Sequence, residues 1–482
     1  MTAPWALEEL QTVDLGDERL DTRFELLLSA LGSRPNLSIP AACRGRAEMK
    51  AAYRFFDNDK VTFEKVLQPH IDQTMARLAE QNLLLLVQDT SEIDLTRPEK
   101  QIKGVGWLDG SRQGVLLHEM QAFTPAGVPL GTVWAEVINR TDGVSQASAA
   151  EKDYERKHTP IEEKESLRWL TGMRAARAVA QQLPAAQCVC VGDSEADIYE
   201  LFAEPRGEYP LHWLIRGCYD RALETADPQT TEAAQHLREQ VLASPVLYQV
   251  ELRIRGRKAK TAVEDRGRRQ NREARQAQVE VRAATVTLRP PWRFDRQLAA
   301  VTVNVVLVRE PNPPAGEPPV EWLLLTTLPI DTLEQVRTVV TYYCVRWGIE
   351  ILFRTLKSGC RIERRRLEDV ERILPCMALY LIVSWRTMFV CHMGRSCPDL
   401  DCEAIFEPAE WKAVWVAVHQ QQPPKQTPRL GTMVHLIACL GGYVERKGGE
   451  PGPQTVWIGL QRMYDLAWAW DSFGPDAKIS SG

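Results

Sequence analysis

Two aspartates close short apolar runs: Asp89 ends Leu83 to Asp89 (LLLLVQD) and Asp193 ends Cys188 to Asp193 (CVCVGD). Apolar runs of this length read as buried strands, so each carboxylate is expected at a strand's C-terminal end, free to leave the sheet for a cleft. Carboxylates from different elements are the usual way to hold Mg²⁺, and two such ions can clamp the attacking and leaving oxygens of a phosphodiester. A third ligand is available downstream. At about 100° per residue, Tyr343, Arg346, Glu350 and Lys357 fall within an arc of about 60° on one long helix, Leu333 to Lys357. Val345, Ile349, Leu352 and Leu356 form an apolar stripe roughly opposite. One face therefore packs, and the other offers a carboxylate to metal with Arg346 and Lys357 for phosphate oxygens on either side. Taken singly, an aspartate at a strand end is commonly a turn or cap residue, and a Tyr/Arg/Glu/Lys face is commonly a solvated one. Their joint order along the chain carries the reading.

The elements that must position these residues can be laid out from periodicity. Residues 1–65 read as a small helical module, with Asp17 capping a helix that carries Leu20, Phe24, Leu27, Leu28 and Leu31. Then follow a strand, a strand pair around Pro125-Ala126-Gly127, a helix from Glu165 to Leu183, a strand, a short helix and a strand ending near Arg216. That order matches an α/β, ribonuclease-H-like core in which an antiparallel trio continues into parallel strands. A β-rich insertion is expected at about 220–330, within a catalytic domain spanning 66–395. A helical C-terminal domain is expected over 396–482. Leu374 to Met393 is apolar enough to suggest a membrane span, but Pro375 and Arg386 interrupt it; it reads as a core helix.

The formal net charge is −5 and the pI about 6.0, which alone argues against a polyanionic partner. The average hides a patch: Arg253 to Arg275 holds ten Lys and Arg against three acids. Eleven cysteines without paired CxxC spacing, and a start without a secretory pattern, point to reduced thiols and a cytoplasmic setting. Cys391, His392, Cys397 and Cys402 fit no standard zinc spacing, and the three cysteines read as buried free thiols.

The signature Tyr343-x2-Arg346-x3-Glu350-x6-Lys357 and the segment Asp193-Ser-Glu-Ala-Asp197-Ile resemble those of the bacterial cut-and-paste DDE transposases of the insertion-sequence-four family. Asp89-Thr90, Leu15-Gly16-Asp17 with Arg19 and Arg23, Ala52-Tyr53-Arg54-Phe55, and Asn312-Pro-Pro with Trp322-Leu-Leu-Leu extend the resemblance over nearly the whole chain. Gly348 and Ser194 depart from it, standing where basic residues are common. The resemblance implies that Asp89, Asp193 and Glu350 hold two Mg²⁺ ions, with Mn²⁺ able to substitute, for nicking, hairpin formation and strand transfer. It implies that Trp322 stacks on a flipped base and that Tyr343, Arg346, Lys357, Arg216, Arg364 and Arg366 contact DNA. Arg19, Arg23, Arg44, Arg46 and Arg54 of the N-terminal module become candidates for reading transposon ends. The implied partners are double-stranded transposon-end DNA, target DNA and a second copy of the chain in a synaptic dimer; no membrane is implied, and the setting is a bacterial cytoplasm, on the nucleoid when DNA is bound. Two rivals remain: a transposase-derived DNA-binding protein without turnover, and a carboxylate-pair glycosidase, which would leave Arg346 and Lys357 idle.

Overall fold

Leu84 to Gln88 are buried without a break, and that run starts the first strand of an antiparallel trio. The computed structural model describes residues 3–43, 45–141, 143, 148, 151, 154, 158–205, 211–224, 235–254, 273–445 and 450–475. They fall into two units, one joining Met1–Gln146 to Trp347–Gly482 and the other spanning Ala147–Arg346.

In the first unit β1 (Leu83–Asp94), β2 (Gly114–Phe123) and β3 (Pro129–Ile138) form an antiparallel meander. Every residue of β2 is buried, so this strand is covered on both faces. The helix Phe63–Leu78 packs on β3, and the helix Val370–Ser396 packs on both. Val370–Ser396 is long and apolar enough to cross a membrane, yet its most apolar stretch is 83% buried within the unit. A helix that is apolar all round must be covered by other apolar matter, and here the unit's own residues cover most of it. Pro375 and Arg386 are accommodated inside it, and Arg386 donates to the Ile405 carbonyl at 3.0 Å. Past it, the helices Pro408–His419, Leu430–Leu440 and Pro453–Phe473 share a core of Trp411, Met433, Ile437, Leu460 and Met463. Gly459 permits their close crossing: a Cβ there would lie 1.8 Å from the Ile437 carbonyl oxygen. Near this core Cys391 and Cys402 are buried free thiols.

In the second unit β4 (Gln187–Gly192) pairs in parallel with β5 (His212–Gly217). The strands of the expected insertion continue the same sheet. β9 (Glu321–Thr326) pairs antiparallel with β5, followed by β8 (Val301–Arg309), β7 (Arg275–Leu288) and β6 (Tyr248–Ile254). Val303, Val305 and Leu307 on β8 and Leu323 and Leu325 on β9 line one apolar face, and Val306 and Leu324 are buried on the other.

Two expectations need correction. Asp89 is not at a strand end: β1 runs five residues further, held by a ladder with β2 that extends from Leu85↔Phe123 to Asp94↔Gly114. Loss of apolar character ended the predicted strand, whereas backbone pairing decides where a strand stops. Nor is Leu333 to Lys357 one helix. Leu333–Val345, opened by a capping box of Thr332 and Gln335, ends at Arg346. Trp347–Arg354 follows, and then a π-turn, Thr355–Gly359, in which Cys360 N–H bonds to the Thr355 carbonyl at 2.8 Å. The Thr355 hydroxyl donates back to the Ile351 carbonyl at 2.9 Å, a contact that bends helices. With a break at Arg346 and a wider turn after Arg354, a single 100° wheel does not run through from Leu333 to Lys357.

Candidate active site

Asp89 lies mid-strand on β1, half-buried, and its Oδ1 accepts the Thr90 N–H at 2.7 Å. Its cross-strand partner on β2 is Glu119, so the two carboxyl groups share a face of the sheet. Glu119 is fully buried. Its Oε1 accepts the Thr132 hydroxyl at 2.7 Å, and its Oε2 has no hydrogen-bond partner among the described residues. Burial, with the charge of Asp89 adding to it and the Thr132 bond opposing, pushes the Glu119 carboxyl up to about 8. The polar chain continues inward. Thr132 N–H donates to His70 Nε2 at 3.2 Å, His70 Nδ1 meets Glu9 Oε2 at 2.6 Å, and Arg77 donates to Glu9 Oε1 at 2.6 Å. Burial lowers His70, while Glu9, despite its burial, is brought down by His70 and Arg77. Sequence reasoning missed Glu119. The available signal was a run of His118, Glu119 and Gln121 inside an otherwise apolar strand, where each buried polar group needs a partner.

The helix Trp347–Arg354 packs against β1 and carries Glu350 on its exposed side, with Ile349, Leu352 and Phe353 buried. Gly348 lets it approach: a Cβ at that position would come within 2.5 Å of the Phe123 ring. Lys357, in the π-turn, is half-buried. Burial lowers it, and the acids Glu363, Glu92 and Asp94 pull the other way.

In the second unit Asp193 follows β4 directly, as expected, and its Oδ1 accepts the Glu195 N–H at 2.8 Å to cap the turn Ser194–Ala196. Tyr343 is 1% exposed rather than displayed on a helix surface. Burial raises its phenol, against the opposing charges of Arg346 and Arg216 and with the charge of Asp193 adding. Trp322 meets the Tyr343 ring edge-on, centroids 5.6 Å apart, and the Arg346 guanidinium stands 5.9 Å from the same ring. Trp322 and Arg346 thus sit against one buried phenol, on which the charges of Arg216 and Asp193 also act. Arg346 is also buried. Asp197 belongs to the loop's framework: fully buried, it accepts the N–H groups of Cys218 and Tyr219 at 2.7 and 2.9 Å and pairs with Arg221.

The candidate DNA arginines sort by partner. Arg19 pairs with Asp17 at 2.8 Å and Arg23 with Glu48. Arg46 and Arg54 are exposed. Of the run Arg364-Arg365-Arg366, the outer two are exposed, but Arg365 is buried, donates to the carbonyls of Pro35, Leu37 and Cys360 and stacks on Tyr380. Arg365 is therefore structural. Arg275 is likewise spent, on Glu310 and Glu317. Arg44 and most of the basic segment, 255–272, lie outside the described residues.

Among the described residues no three of His, Cys, Asp and Glu are gathered as a metal site. Asp89 and Glu350 belong to the first unit and Asp193 to the second. All three donate only carboxylate oxygen, the donor type that suits Mg²⁺ and not a thiolate-seeking ion.

Three family descriptions match the chain in sequence. Transposase DNA-binding covers residues 2–61, Transposase DDE domain covers 171–384, and Transposase Tn5 dimerisation domain covers 382–468.

Proposed function

Because this chain belongs to the Tn5-like DDE transposases, we propose that it is an active, dimeric, cut-and-paste transposase that nicks transposon ends, forms hairpins and joins the excised ends to target DNA. DNA binding, nuclease-type transposition and self-association follow from the three matched domains; the chemical course is our reading. The observation that carries it is that Asp89 and the helix bearing Glu350 pack together in one unit, while Asp193 shares Tyr343's surroundings with Arg216 and Arg346 in the other. The catalytic core is read as ribonuclease-H-like, the meander of β1 to β3 and the parallel pair β4 and β5 being its parts. It acts where the DNA is, on the bacterial nucleoid.

Asp89, Asp193 and Glu350 are the residues that would hold two Mg²⁺ ions, or Mn²⁺ in their place. When bound, those ions supply Lewis acidity and an activated water for in-line displacement at phosphorus. The protein's own part is to hold the substrate. Arg346 and Lys357 take phosphate oxygens, and Tyr343 fixes Arg346 through its ring. Trp322, backed by Tyr343, offers a face to an unstacked base, a contact typically worth about 1–3 kcal/mol. Glu119 keeps its place in the sheet as a neutral acid and adds no charge beside Asp89.

Purified protein with Mg²⁺ and a duplex bearing its own element's ends is expected to nick and form hairpins. Glu350→Ala is expected to bind the same duplex without cutting it. Persistent cleavage by that variant removes Glu350 from the mechanism, and a wild-type chain that binds ends without nicking favours a DNA-binding descendant instead.

A further inference from the structure

Trp107 and Gln113 stand opposite each other at the neck of a tight hairpin in the connection from β1 to β2, paired as an isolated antiparallel bridge. The hairpin is stiff. Leu108 N–H donates to the Arg112 carbonyl at 2.9 Å, and Asp109 Oδ1 accepts the N–H groups of Ser111 and Arg112, each at 2.8 Å. Its neck is held from outside as well. Trp107 N–H donates to the Arg140 carbonyl at 3.1 Å, Gln113 N–H to the Thr96 hydroxyl at 2.9 Å, and Leu95 N–H to the Gln113 carbonyl at 2.9 Å. Residues directly opposite in an antiparallel pair put their side chains on the same face, so the indole and the amide project together.

Neither side chain is used within the fold. Gln113 is 8% exposed, yet its side-chain amide makes no hydrogen bond among the described residues. A buried amide normally finds a partner, because leaving one unsatisfied is costly. Trp107 is half-buried, and its ring meets no other ring and no cation among the described residues. Both line one open cavity of about 320 Å³, with Thr96, Arg97 and Lys100 from the segment that leaves β1. That volume falls at the lower end of the range for ligand sites. Lys100 is held only by an exposed pair with Glu368 at 2.9 Å, a weak hold that a phosphate can replace. A flat aromatic face beside an amide that both donates and accepts fits a planar heterocycle with a hydrogen-bonding edge. In a paired, stacked duplex a base has no face to offer, so the fit is to an unpaired one.

We propose that this cavity takes one unpaired base of DNA, adenine by preference, with Trp107 stacked on its face and the Gln113 amide on its N6–N7 edge. Stacking is tolerant of sequence because every base has a π-face, so Trp107 supplies affinity. The amide's donor and acceptor match the N6 donor and N7 acceptor of adenine, so Gln113 supplies the choice of base. The pocket rests on the reading of this chain as a DNA transposase and adds Trp107 and Gln113, which no motif singles out. β1 carries the chain roughly 17 Å from Asp89 to Asp94 before the connection begins, a span of about five base steps. The pocket therefore serves a flanking base and not the reacting phosphate.

The test is the affinity of the full chain for mixed-sequence duplexes, either fully paired or carrying a single unpaired A, C, G or T. It is run in a Trp322→Ala background, so that the base contact proposed beside Tyr343 does not contribute. The duplex with unpaired A is expected to bind about 5- to 150-fold tighter than the paired duplex, the range that stacking of one base spans, and tighter than the other three. Trp107→Ala is expected to bring every such duplex to the affinity of the paired one, and Trp107→Phe, which keeps a ring in the hairpin neck, to retain part of the preference. Gln113→Leu is expected to equalise the four unpaired bases while leaving all of them above the paired duplex. Normal binding of the paired duplex with no added affinity for an unpaired base overturns the pocket alone. So does a preference that survives Trp107→Ala, or one that is indifferent to the base before Gln113 is changed. A chain that binds none of these duplexes overturns the DNA reading and the pocket with it.

Discussion

Asp89 and Glu119 stand directly opposite each other in the antiparallel ladder of β1 and β2, one half-buried and one wholly buried. A sheet tolerates two carboxyl groups on adjacent strands of one face only if one stays neutral or a cation intervenes. Burial keeps Glu119 neutral, up to about pH 8. Its acid form is therefore favoured in the folded chain relative to the unfolded one. Stability from this group is full below the ordinary carboxylate range and is lost as pH rises through about 8. Glu119→Gln keeps the acceptor for Thr132 and cannot ionise. The variant is expected to gain on wild type as pH rises from 5 to 9 in urea unfolding; an equal difference at both ends would place the raised group elsewhere.

Gly348 tests how closely the Glu350 helix must approach β2. Alanine should gain about 1 kcal/mol in helix propensity over glycine. Its methyl would meet the Phe123 ring at 2.5 Å, and overpacking of that kind typically costs about 1–3 kcal/mol. We expect Gly348→Ala to destabilise on balance and to reduce cleavage, with recovery when Phe123 is shortened to Leu. Failure of the double variant to recover either property would show that the ring is not what limits the approach.

Trp322 joins the reading of hairpin chemistry to a visible packing contact on Tyr343. Trp322→Ala is expected to leave first-strand nicking intact and to reduce hairpin yield on end-bearing duplex. A hairpin yield equal to wild type, measured on denaturing gels, would return Trp322 to a purely packing role.

Asp197 lies inside the motif that follows β4, and its carboxylate is spent on Arg221 and the backbone of Cys218 and Tyr219. Removing one partner of a buried ion pair typically costs about 3–5 kcal/mol, because the other charge is left uncompensated. Asp197→Ala should show that loss in denaturant unfolding, and Asp197→Asn should restore part of it by keeping an acceptor for Cys218 and Tyr219. A loss of cleavage with unchanged stability would instead move Asp197 into the chemistry.

The strands ending near Asp193, the apolar core helix around Val383 and the β-rich stretch after residue 220 were legible because burial writes itself into hydrophobic runs. The signature spacing of Tyr343, Arg346, Glu350 and Lys357 was legible too, since it survives as sequence whatever the backbone does between its members. Its geometry was not. The helix breaks at Arg346, and the π-turn at Thr355–Gly359 is packed by distant segments, Trp457 against Gly359 and Ser384 against Cys360.

The same holds for charge. Sequence lists arginines, but an arginine's role is set by what it faces: Arg365 meets three carbonyls, Arg275 two glutamates, and Arg221 the buried Asp197. Residue types and order were enough to indicate the family, because motif spacing is local and survives in one dimension. Which carboxyl is buried beside Asp89, and which arginines are already paired, was decided only by folding. Electrostatic partners are chosen by distance in space, and the chain's linear order does not contain it.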